Sequence, residues 1–80
     1  MNKVPQIDTK ETGKHLSTLM MQHGLTVKDI QTLLGLSCPQ SIYRWLNGRC
    51  LPTVDHLYSL SRYFGISIDE LLVGDEDKEL

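Results

Sequence analysis

Glycine cuts this chain into short pieces. Gly24, Gly35, Gly48, Gly65 and Gly74 each close a stretch whose apolar residues recur at helical spacing. No stretch between two such stops is long enough for a helix that is stable alone in water, and no run alternates as a strand does. The chain must therefore fold as several short helices that cover one another's apolar faces. Its 80 residues allow one domain and leave little to wall a catalytic cleft, so an enzyme is not expected. An apolar fraction of 40% with a formal charge of −2 belongs to a globular chain and not to a disordered one.

Residues 1–8 carry Pro5 and no apolar period, and they read as a flexible arm. The first helix follows, with Asp8, Thr9 and Thr12 as candidate caps. Leu16, Leu19, Met20 and His23 share one face, and Gly24 ends the helix. Thr26 and Asp29 have the spacing of a capping box and open a second helix. Its buried stripe is Ile30, Leu33 and Leu34, and Gly35 stops it. Ser37-Cys38-Pro39-Gln40 reads as a second capping box, with Pro39 tolerated in the first turn of a third helix. That helix turns Ile42, Trp45 and Leu46 inward and closes at Asn47-Gly48. After the loop Arg49-Cys50-Leu51-Pro52, Thr53 caps a fourth helix with the stripe Leu57, Leu60, Ser61 and Phe64, ended by Gly65. Ser67 and Glu70 form a third capping box before a short fifth helix carrying Ile68, Leu71 and Leu72, with Gly74 as its stop. The expected architecture is all-α, a compact five-helix bundle over residues 9–74, between the arm and an acidic tail at residues 75–80.

That tail, Asp75-Glu76-Asp77-Lys78-Glu79-Leu80, holds four acids and one lysine. The remainder carries 7 basic and 6 acidic residues and is close to neutral. The N-terminus lacks the apolar core of a signal peptide, and no apolar run approaches the ~18–20 residues that span a bilayer. The two cysteines, Cys38 and Cys50, flank the third helix at roughly 15–18 Å, given 1.5 Å rise per residue. They read as free thiols in a cytoplasmic protein. His15, His23 and His56 do not cluster with them as metal ligands do, and no nucleophile elbow or phosphate-binding glycine loop is present. Neither metal nor other cofactor is expected.

The functional signal lies in residues 26–48. A capped helix, a stop at Gly35, a turn of two or three residues and a second capped helix make a helix-turn-helix arrangement. On a helical wheel, the third helix gathers Ile42, Leu46, Pro39, Trp45 and Cys38 on one side. Opposite them stand Asn47, Gln40 and Arg44, flanked by Tyr43 and Ser41, without one acid. Arginine forks onto guanine O6/N7, and glutamine or asparagine pairs with adenine N6/N7. Such a face suits a major groove lined by phosphates. The capping box gives Gln40 a competing task, since its side chain would turn back to the Ser37 N–H.

These elements recur in order in a known family. Gly13, Leu16 and Leu19; Gly24-Leu25-Thr26; Leu34-Gly35-Leu36-Ser37; Ile42-Tyr43-Arg44-Trp45; Asn47-Gly48; Leu51-Pro52; Leu57 and Leu60; and the run from Gly65 to Leu72 resemble the lambda repressor/Cro-like (XRE-type) helix-turn-helix family over residues 12–73. The resemblance implies a five-helix domain that binds operator DNA, commonly as a homodimer, with its third helix in the major groove. It implies a transcriptional regulator, a repressor acting by occupancy of a palindromic site. Gln40, Ser41, Tyr43, Arg44 and Asn47 become the candidates for DNA contact, and Lys28 and Arg49 the candidates for phosphate. Three departures stand out. Four residues separate Ser37 from Ile42 where most relatives have three; Val27 stands where a phosphate-contacting Gln is frequent; and Met20 replaces a frequent Arg. The alternative reading is a protein-interaction module of the same fold, such as an antitoxin whose acidic tail meets a basic toxin. A third is an adaptor that has lost DNA binding, in keeping with Val27 and the negative charge.

Overall fold

A computed structural model describes residues 4–75. Five helices run in order: α1 (Thr9–Gln22), α2 (Val27–Leu34), α3 (Gln40–Leu46), α4 (Val54–Phe64) and α5 (Ile68–Leu71). Among the described residues there is no strand, only an isolated antiparallel bridge between Ile7 and Gly74.

Three of the five helix starts, those of α1, α2 and α5, follow from side-chain oxygens that satisfy otherwise orphaned N–H groups. Asp8 accepts from the Glu11 N–H at 2.9 Å. Thr26 and Asp29 cap each other reciprocally, as do Ser67 and Glu70. Thr53 takes the N-cap position of α4, but its hydroxyl makes no capping bond. The helix ends repeat one device: the glycine N–H and the N–H that follows it bond back to carbonyls three and five residues upstream. This occurs at Gly24-Leu25, Gly35-Leu36, Gly48-Arg49 and Gly65-Ile66.

The Glu70 carboxylate accepts from the Ser67 N–H at 2.9 Å and from its hydroxyl at 3.2 Å. The backbone bond first, and the hydroxyl second, hold its pKa below the ordinary 4.5. A folded-state pKa below the unfolded one gives stabilisation that is complete above the ordinary value and is lost as pH falls through the folded one. A Glu70→Gln chain is therefore expected to lose less stability than the parent between pH 5 and pH 3, read from urea midpoints at each pH. An identical acid dependence of the two chains would contradict the cap.

Four expectations need correction. The capping box at residues 37–40 does not form: α3 begins at Gln40, Pro39 is its N-cap with φ −87° and ψ 0°, and no side chain caps it. The residue before a proline is pushed out of the α region, so Cys38 cannot be the first helical residue that such a box needs. For the same reason Cys38 is not on an inward helical face; it is exposed, as is Cys50, and both thiols are free. Leu33 is 43% exposed. The inward line of α2 runs through Val27, Ile30 and Leu34, and it leaves Leu33 about a quarter-turn off. Finally, Gly74 does not stop α5. The helix ends at Leu71, Leu72 is extended, and the chain runs on to pair with residues 6–8.

That pairing is built from Asp8 N–H to the Val73 carbonyl and Asp75 N–H to the Gln6 carbonyl, both at 2.8 Å. Thr12, buried inside α1, accepts from the Val73 N–H at 3.0 Å. The expected arm is thus fastened from Gln6 onward, while residues 1–3 and the tail beyond Asp75 lie outside the described residues.

One core joins all five helices through Leu16, Leu19, Met20, Ile30, Ile42, Trp45, Leu57, Leu60, Phe64 and Leu71. Met20 lies wholly among these apolar side chains. His23 stays exposed; its Nδ1 lies 3.0 Å from the Leu19 carbonyl, and its ring meets Phe64 edge-on at 4.9 Å.

Candidate nucleic-acid interface

The outward face of α3 is defined by what anchors its inward one. Ile42 is fully buried and Trp45 is 4% exposed, with the Trp45 ring 5.6 Å from that of His56 on α4. Leu46 is half-buried against the core. Anchoring at these positions forces Gln40, Arg44 and Asn47, spaced i, i+4, i+7, onto the opposite side.

All three are exposed, and so is Tyr43, at 50%. Ser41 is half-buried at the edge of the row. Lys28, in the first turn of α2, and Arg49, just past the end of α3, are exposed as well. None of Lys28, Gln40, Ser41, Tyr43, Arg44, Asn47 or Arg49 has an ion pair among the described residues, and none of these side chains is spent on a hydrogen bond there. The later start of α3 removes the competing task of Gln40, whose amide is at the first helical position and caps nothing. Over about 10 Å of helix, given 1.5 Å per residue, the surface offers an amide, a phenol, a guanidinium and a second amide, with no acid on α3.

The rear support of α3 is backbone against backbone. A Cβ on Gly13 would sit 2.5 Å from the Trp45 carbonyl oxygen and 2.7 Å from that of Leu46, so α1 rides directly on the last carbonyls of α3. The turn after α3 is equally close. Gly48 has φ +76°, and a Cβ there would lie 2.7 Å from the Lys10 Cα. This brings Lys10, exposed in the first turn of α1, against Gly48, the residue that precedes Arg49. Lys10 escapes a reading of the sequence because nothing in its local spacing marks it; only the approach of two distant segments does.

A helix-turn-helix family model matches residues 16–71. No curated protein matches the chain. Among solved structures, a transcriptional regulator from Listeria innocua is 33% identical, aligned over 76% of this chain and 56% of its own, with a TM-score of 0.70. The chain thus spans little more than half the length of that protein. The restriction-modification controller protein C.AhdI from Aeromonas hydrophila is 22% identical over 80% of this chain and 96% of its own, with a TM-score of 0.69. The clp gene regulator ClgR from C. glutamicum is 18% identical over 82% of this chain and 84% of its own, at a TM-score of 0.66. The last two share the fold.

Proposed function

The chain belongs to the helix-turn-helix family, of the XRE type, and from that premise we propose that it is a cytoplasmic transcriptional regulator that binds operator DNA as a homodimer and represses by occupying its site. The observation that carries this reading is the exposed, acid-free row of Gln40, Tyr43, Arg44 and Asn47 on a helix whose other side is locked into the core. In this reading α3 enters the major groove, Arg44 forks onto a guanine edge, and the two amides read adenine. Lys28 and Arg49 hold phosphates and set the register, which positions the row without carrying sequence information. Ser41 and Tyr43 make the flanking contacts. Two copies place their α3 helices on half-sites about one turn, or ~34 Å, apart. Function here is binding; no chemical step is called for.

Bound duplexes selected from a random pool would supply the operator. On that duplex, Arg44→Ala is expected to weaken binding by about 1–3 kcal/mol, roughly 5- to 150-fold, and to relax preference at one base pair. Fluorescence anisotropy reads the affinity, and a melting curve verifies the fold. Unchanged affinity in a folded variant would remove Arg44 from the interface.

A further inference from the structure

We infer that Lys10 is a third DNA-backbone contact, forming with Arg49 a phosphate clamp at the C-terminal end of α3. The inference rests on the DNA-binding reading above and deepens it. Three observations lead there. First, Gly48 abuts α1 so closely that a Cβ there would meet the Lys10 Cα at 2.7 Å, its Cβ at 3.2 Å and its N at 3.2 Å. The Lys10 side chain therefore starts against the turn that joins the last residue of the exposed row, Asn47, to Arg49. Second, Lys10 and Arg49 are both exposed, and among the described residues neither has an ion pair. Third, the neighbouring acids are engaged: Asp8 caps the Glu11 N–H at 2.9 Å, and Glu11 pairs with Lys14 at 3.4 Å.

Two unneutralised cations on adjoining backbone segments repel each other and raise the local positive potential, which an anion between them relieves. A duplex whose major groove holds α3 carries its sugar-phosphate strand past one end of that helix. The anion there is a backbone phosphate. Lys28 serves at the start of the preceding helix, so the two cationic points flank the row instead of sharing one spot.

A phosphate contact leaves a signature that a base contact or a folding defect does not: it sets the salt dependence of binding. With the full chain and the selected duplex, anisotropy titrations over a salt series are expected to show that Lys10→Ala lowers the slope of log K against log salt by about 0.9. The ratio of parent to variant affinity then shrinks by roughly three- to fourfold between 50 and 200 mM salt. The loss is expected to be the same on a random duplex, and Lys10→Arg restores the slope. Lys14→Ala, one turn further along α1 and already paired, leaves it unchanged. Lys10→Gln keeps the stem that lies on Gly48, so a slope loss shared by Ala and Gln excludes a packing cause. A parent slope retained in both variants overturns the clamp while leaving the DNA-binding reading intact. Failure of the parent chain to bind any duplex, even at low salt, overturns both.

Discussion

Trp45→Ala is expected to cost about 3–5 kcal/mol, the range for removing a buried tryptophan. Trp45 is 4% exposed, and its ring lies 5.6 Å from that of His56, whose Nδ1 is enclosed without a hydrogen-bond partner. Truncation leaves a void beside His56, and the surrounding structure relaxes into such a void only in part. At 0.05–0.15 kcal/mol per residue, a chain of this length has roughly 4–12 kcal/mol in total, so the loss removes at least about a quarter of its stability. Urea denaturation followed by circular dichroism measures the loss. Tyr43→Ala is the matched control: it lies on the same helix, is 50% exposed, and belongs to the class of surface changes within about 0.5 kcal/mol. A Trp45→Ala chain as stable as the Tyr43→Ala chain would contradict the inward anchoring of α3, and with it the outward row.

Gly13→Ala is the second large effect, and its sign distinguishes the structure from sequence rules. Inside a helix, alanine is preferred to glycine by about 1 kcal/mol, so propensity alone calls for a more stable protein. Here the added methyl meets two carbonyl oxygens at 2.5 and 2.7 Å, and both belong to backbone that cannot swing aside. The expected outcome is a net loss of about 1–3 kcal/mol, the ordinary range for overpacking. At about 4–8 °C per kcal/mol for a domain of this size, the melting temperature falls by roughly 4–24 °C. DNA binding falls with it, because displacing α1 tilts the end of α3 and moves Lys10 from Arg49. Gly24→Ala makes the comparison: φ is +66°, nothing lies within 4 Å, and the cost is confined to about 1–2 kcal/mol of backbone strain. A Gly13→Ala chain that melts above the parent would refute the direct contact between α1 and α3.

Local signals were legible in the sequence, and signals requiring two distant segments were not. The stops at Gly24, Gly35, Gly48 and Gly65 and the boxes at Thr26 and Ser67 are decided within four or five residues, and all of them form. Ser37 failed although its spacing matched, because the pattern ignores what Pro39 does to Cys38. Leu33 failed because an eight-residue helix buries a narrower stripe than the periodic pattern allows, and tertiary packing chose the line through Val27. Gly74 failed because its partner, Ile7, stands at the other end of the chain. The candidate row on α3 was readable for the same reason as the caps: a seven-residue helix fixed by Ile42 and Trp45 has only one opposite side. Lys10 was not readable, since its place against Gly48 exists only once α1 has packed.

The pairing of residues 6–8 with residues 73–75 has a consequence for the order of folding. Gln6 and Asp75 are 69 positions apart, so joining them confines almost the entire chain. The entropy of closing so long a loop is met by few bonds and by Ile7, which remains 40% exposed. The clasp therefore snaps shut only on a body already assembled around Leu60 and Ile30, and it is the first feature to part when that body begins to loosen.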